Sequence, residues 1–200
     1  EVASVSSLNI MSRCISIDLE VDPEKARVFA FAAVTQDPKN SLVITAATEN
    51  NFPKLDAFCE GYDHVIGHNI LRHDLPYLVA VSPKFSALAD APIDTLWLNT
   101  LAFPRNPYHH LVKHYQDGRI QTGRVNDPEF DAQIVFDVLK NQINAFTELN
   151  ERSADALTAY HYLCSRPPRS GGFERLFDLI RVQAKPLEGE AYNAIRRLLD

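Results

Sequence analysis

The sequence predicts an α/β fold: a mixed five-stranded sheet flanked by helices on both faces, with a C-terminal helical extension. Three observations carry that expectation. The first hundred residues contain five short runs rich in β-branched and aromatic residues, punctuated by Gly, Pro, Asn and Asp. The first three runs follow one another through short turns, which suits an antiparallel meander, whereas the later ones alternate with helical patterns that call for crossovers. From Pro128 onward, apolar residues recur at spacings of three, four and seven, the signature of helices.

The first strand is Ile15-Ser16-Ile17-Asp18-Leu19-Glu20. Side chains two apart on a strand point the same way, so Asp18 and Glu20 share one face while Ile15, Ile17 and Leu19 share the other. Val21-Asp22-Pro23-Glu24-Lys25 turns the chain into a second strand, 26–34, apolar enough to be buried on both faces. Leu42 to Ala46 is the third strand. Asn51 then caps a helix from about Pro53 to Glu60, ended by Gly61. His64-Val65-Ile66-Gly67 is a brief fourth strand, followed by a helix from Asp74 in which Pro76 is tolerated because it falls in the first turn. Pro92 to Leu98 reads as the fifth strand, and His109 to Tyr115 as a short helix. A long helix runs from Pro128 to about Leu149, with Phe130, Ile134, Val135, Val138, Leu139, Ile143 and Phe146 on its apolar positions. Two more helices, 154–164 and 173–180, flank the break Arg166-Pro167-Pro168-Arg169-Ser170-Gly171-Gly172. The expected division is a domain over 11–150 and a helical extension over 151–200. The pattern is still helical at Asp200, which suggests that the native polypeptide continues into a further domain.

Composition narrows the function classes. No apolar run approaches the roughly 20 residues of a membrane span. Three widely spaced cysteines, Cys14, Cys59 and Cys164, suit neither a disulfide framework nor a zinc site and fit a reducing, cytoplasmic setting. A formal charge of −6 argues against a broad basic surface for duplex nucleic acid, yet is compatible with a nuclease whose acidic metal site adds to the negative count.

Three acidic clusters carry the chemistry. Asp18 and Glu20 end an apolar strand side by side, where they repel each other and lose solvation. Either the strand runs into a solvated acidic turn, or a hard cation such as Mg²⁺ or Mn²⁺ sits between the carboxylates. Asp74 lies at a strand-to-helix junction, as an N-cap or as a site residue. His68 and His73 beside it read as packing or hydrogen-bonding residues. Asp131 falls in the first turn of the long helix, which suits a carboxylate electrostatically, but it heads an inward-leaning row with Val135, Val138 and Gln142 and so needs a partner. Four carboxylates converging at a sheet end can hold two cations about 3.5–4 Å apart.

The order and spacing of these clusters resemble the DnaQ-like, or DEDD, exonuclease superfamily over roughly residues 13–150. Gly67-His68-Asn69-Ile70-Leu71-Arg72-His73-Asp74-Leu75-Pro76-Tyr77-Leu78 is similar to the second motif of proofreading domains in family-B DNA polymerases. The stretch from His109-His110-Leu111-Val112-Lys113-His114-Tyr115-Gln116 to Asn126-Asp127-Pro128-Glu129-Phe130-Asp131 resembles exonuclease-like domains that accompany RecQ-type helicases. The resemblance implies an RNase H-like fold and two divalent ions, Mg²⁺ or Mn²⁺, ligated by Asp18, Glu20, Asp74 and Asp131. It also implies hydrolysis from single-stranded DNA 3′ ends contacted by Asn69 and Leu19, a role in DNA repair, and a fused or associated helicase. One departure stands out. The histidine-type branch of the superfamily has its general base where this chain has Asn126, and the tyrosine-type branch has Tyr where this chain has Asp127. An amide cannot take a proton at neutral pH. Asn126 therefore joins the catalytic set as a residue that orients water or a phosphate oxygen, or else it merely helps start the helix. His109, His110 and His114 are the upstream alternatives for a base. The competing readings are a catalytically weak nucleic-acid end-binding module and an exonuclease acting on RNA, whose 2′-OH contacts are not legible in sequence.

Overall fold

The structure, a computed structural model, describes residues 9–22, 24–25, 27–82, 85, 88–107, 109, 111 and 128–200. Strands β1 (Cys14–Asp22), β2 (Arg27–Val34), β3 (Ser41–Ile44), β4 (His64–Gly67) and β5 (Ile93–Asp94) form one sheet in the order β3-β2-β1-β4-β5. Strand β2 is antiparallel to both of its neighbours, while β4 runs parallel to β1 and β5 parallel to β4. The meander and the mixed sheet are thus both present. Asp22 closes the first hairpin by accepting the N–H groups of Glu24 and Lys25 at 3.1 and 3.2 Å.

Helices cover both faces. On one side α1 (Phe52–Phe58) and α2 (Leu75–Val81) bury Phe52, Leu55, Leu75 and Leu78 against Ile15, Ile17, Leu19, Phe31 and Val65. On the other, α3 (Thr95–Ala102), α4 (Pro128–Arg152), α5 (Ala154–Cys164) and α6 (Gly171–Arg181) bury Leu98, Val135, Leu139, Ile143, Phe146, Leu157 and Phe177 against Cys14 and Ile66. The strand period of two divides β1 between these layers, as its sequence dictates. Each fully buried side chain of this size contributes about 1.5–3 kcal/mol.

Two local readings need correction. The run 92–98 is not a strand throughout: β5 ends at Asp94, and Thr95 begins α3. Asp94 caps that helix, accepting from the N–H groups of Leu96 and Trp97, and Thr95 and Leu98 then fall on the buried face three apart. Strand β2 is not buried on both faces along its whole length either. The register between β1 and β2 shifts after Glu20, from Glu20↔Ala30 to Val21↔Val28, so the extra residue is Phe29, which is 41% exposed. A bulge releases one residue from the alternation. The expected helix at 109–115 lies almost wholly outside the described residues.

Helix α4 runs on to Arg152, and the helices beyond it share its core through Leu157, Phe173, Leu176 and Phe177. The start of α6 approaches the chain before β5 so closely that a Cβ on Gly172 would lie 2.3 Å from the Pro92 carbonyl oxygen. Only glycine fits there. The last helix, α7 (Glu188–Leu199), packs on α5, and the Arg197 guanidinium grips Asp155 at 2.8 and 2.6 Å. Among the described residues, no helix is long and apolar enough to cross a membrane.

Candidate functional site

Pairing between β1 and β4 ends at Ser16↔Ile66, so β1 runs on past its parallel neighbour. Asp18 and Glu20 lie in that overhang. Their β2 partners are Ala32 and Ala30, which share their face and occupy little space there. Helix α4 crosses β1 and β2 on this face. Its first turn is tied to the sheet by the Ser41 hydroxyl, which donates to Glu129 Oε1 at 2.8 Å, and Asp131 follows two residues later.

Asp74 reaches the same place from the other direction. It occupies the N-cap position of α2 but makes no side-chain capping bond. Instead its Oδ1 accepts the backbone N–H of Leu19 at 3.0 Å, between Asp18 and Glu20 in sequence, and meets His73 Nδ1 at 3.3 Å. That residue is 2% exposed. A carboxylate that serves a neighbouring strand rather than its own helix departs from the capping reading.

The charges that act on Asp18 come from three segments of the chain. Burial, then the charges of Asp74, Asp131 and Glu20, push the Asp18 carboxyl up to about 8, with His73 acting in the opposite sense. Burial also raises Asp74, against the hydrogen bonds from His73 and Leu19. The Asp74 hydrogen bond raises His73, opposed by burial and assisted by the charges of Asp74, Asp18 and Glu20. Residues from three distant segments therefore act on one carboxyl. They are not drawn into a ready chelate: among the described residues, no group of three or more His, Cys, Asp or Glu side chains is gathered closely enough to hold a metal ion.

The remaining expected site residues divide. Asn69 stands in the left-handed region, at φ 70, in the turn that delivers Asp74. Its carbonyl accepts from the N–H groups of Arg72 and His73 at 3.2 and 3.0 Å. Leu19 is 2% exposed, with its side chain in the core on the opposite face, so it offers the site its backbone N–H. Asn126, His110 and His114 lie outside the described residues. His68 is a hydrogen-bonding residue, as expected, bridging Thr95 Oγ1 at 3.0 Å and the His109 carbonyl at 2.8 Å.

Sequence reasoning passed over Asp94, which is fully buried. Besides capping α3, its carboxylate accepts the N–H of Asn69 at 3.0 Å and of Leu71 at 3.1 Å. One side chain thereby fixes the 69–74 turn to the start of α3. Burial raises its pKa, against the bonds from Leu71, Asn69, Trp97 and Leu96. The available signal was an Asp directly before an apolar helical spacing. Comparison with known protein families, curated proteins and solved structures returns no match for this chain.

Proposed function

We propose that this chain is a divalent-metal-dependent 3′–5′ exonuclease acting on single-stranded DNA ends, built on an RNase H-like fold. The observation that carries the reading is that Asp74, Asp131 and Glu20, from three segments of the chain, all act on the Asp18 carboxyl, which burial first and then their charges push up to about 8. A five-stranded mixed sheet between helical layers agrees with the expected fold.

The donor set fits the metals that such a reaction uses. All four groups are carboxylates, the charges that raise Asp18 are all acidic, and hard oxygen donors of this kind suit Mg²⁺ or Mn²⁺. Asp18, Glu20, Asp74 and Asp131 would hold the ions, with Asp18 the most central. Bound there, two such ions supply Lewis-acid stabilisation of the charge that develops on the phosphodiester and acidify the attacking water. The chain's own part is positioning. The Leu19 N–H and His73 fix the Asp74 carboxylate, and the sheet fixes Asp18 relative to Glu20. Asn126 stands where the resemblance places a general base, and its amide takes no proton. A new O–P bond forms, the P–O3′ bond breaks, and a 5′-nucleotide leaves a strand ending in a 3′ hydroxyl.

A second reading is an end-binding module of a helicase or repair protein that hydrolyses poorly. Asn126, which stands where the resemblance places a base, favours it. A helicase or other DNA-processing partner, fused or associated, belongs to either reading and rests on the resemblance alone. The test is digestion of a 5′-labelled single strand in Mg²⁺, Mn²⁺ and EDTA by the wild type and by Asp18→Asn. The nuclease reading expects metal-dependent shortening from the 3′ end that the variant loses. Wild-type protein that binds the strand but never shortens it supports the second reading, and a variant as fast as wild type removes Asp18 from the mechanism.

A further inference from the structure

Helix α3 carries a large exposed aromatic ring at the same end of the sheet as the carboxylates. Thr95 and Leu98 point into the core, at 0% and 1% exposure, whereas Trp97 between them is 43% exposed. The guanidinium of Arg72, itself exposed, lies over that indole at 5.7 Å from the ring centroid. Arg72 is two residues before Asp74, on the turn that leads into the carboxylate cluster.

Single exposed aromatics are common on protein surfaces and need no explanation. This one is mounted differently. The Asp94 carboxylate bonds Asn69 and Leu71 of the turn and Leu96 and Trp97 of the helix, so ring and turn share one buried anchor. Thr95 adds a second tie, its hydroxyl bonding His68 at 3.0 Å and the Gly67 carbonyl at 3.3 Å. Asn69 is the left-handed residue of that turn, at φ 70, and its carbonyl accepts the Arg72 N–H at 3.2 Å. Because β4 and β5 run parallel to β1, the turn after β4 and the helix after β5 emerge at the end where Asp18 and Glu20 lie. An indole fixed in water, with a cation over it, matches a nucleotide: the base has a π-face to stack and the phosphodiester a charge to meet.

We propose that Trp97 and Arg72 form a stacking platform for a nucleotide of single-stranded DNA, beside the carboxylate cluster. The proposal deepens the exonuclease reading by naming where the strand lies upstream of the scissile phosphate. Trp97 stacks a base, and Arg72 covers the ring in the free protein and turns to a phosphate when the strand binds. Stacking on an aromatic tolerates every base, so the platform binds without sequence preference.

Trp97 is the only tryptophan in the chain, so its emission reports on this surface alone. The probe is a short oligothymidylate titrated into the full chain in EDTA, where no cleavage occurs. Saturable quenching of tryptophan emission is expected. By anisotropy of a labelled oligomer, Trp97→Ala is expected to bind about 5- to 100-fold more weakly, while Trp97→Phe keeps most of the affinity. Arg72→Ala is expected to flatten the salt dependence by about 0.7 in the slope of log K against log salt. Unquenched emission at saturating oligomer, or Trp97→Ala binding as tightly as wild type, overturns the platform. Mn²⁺-dependent cleavage separates the two proposals. Wild type that cleaves while Trp97→Ala keeps its KM refutes the platform and leaves the nuclease standing. Quenching with no cleavage in any metal refutes the nuclease and supports the platform.

Discussion

Replacing Asp18 by Asn is expected to stabilise the metal-free protein, and the amount follows from the site. The ordinary pKa of this carboxyl is 3.8, and in the fold it is about 8. An acid whose pKa rises on folding holds its proton more tightly when folded. Below about pH 4 it is protonated in both states and costs nothing; between about 4 and 8 only the unfolded chain gives up the proton, and stability falls as pH rises; above about 8 the cost levels off. At about 1.4 kcal/mol per pH unit, the penalty at pH 7 is on the order of 4 kcal/mol. The amide keeps the volume of the side chain and never ionises. In EDTA at pH 7 the variant should therefore melt higher, by roughly 8–16 °C for a chain of this size. The gap should close as pH falls toward 4. Added Mn²⁺ should raise the wild-type midpoint and leave the variant behind, because an ion that binds only the folded site stabilises it by mass action. Circular dichroism melts from pH 4 to 8, with and without Mn²⁺, make the measurement. A variant no more stable than wild type at pH 7 in EDTA, or a gap that does not change with pH, refutes the electrostatic account of the cluster.

Two further outcomes follow, one from the resemblance at Asn126 and one from the Asp94 anchor. Asn126→His is expected to raise cleavage near neutral pH, since a general base contributes typically about 10²–10⁴-fold where it acts, whereas Asn126→Ala should cost about tenfold or less. An unchanged rate in Asn126→His, together with loss of activity in His114→Ala, would assign the base to the upstream segment. Asp94→Ala should lower stability by about 1–3 kcal/mol, the usual cost of a lost cap together with buried N–H groups left without an acceptor. It should also weaken cleavage through the freed 69–74 turn. Urea denaturation and the labelled-strand assay read both effects, and unaltered cleavage would show that the turn holds its shape without Asp94.

The sheet was legible because its strands obey simple periods. Ile15, Ile17 and Leu19 against Asp18 and Glu20 can only be a two-faced strand, and the structure buries one set while the other set faces α4. The long helix was equally plain, from Pro128 at its first position to the apolar row through Phe146. The run 92–98 failed because a short apolar segment fits strand and helix alike until its cap is recognised. The bulge at Phe29 left no mark, since it depends on how two strands pair and not on either strand alone. At Asp74 the capping and site readings occupy the same position in sequence. Only the direction of the side chain, toward the Leu19 N–H, distinguishes them. Arg72 and Trp97 are 25 residues apart in sequence, and nothing in either neighbourhood announces the contact.

The central claim is that Asp18, Glu20, Asp74 and Asp131 form one two-metal site. A crystal structure of the protein soaked in Mn²⁺, read by anomalous scattering, tests it most directly. The account predicts two manganese ions, about 3.5–4 Å apart, with Asp18 touching both and the other three carboxylates closing around them. Manganese bound elsewhere, or none bound while the four carboxylates keep their separation, would contradict it.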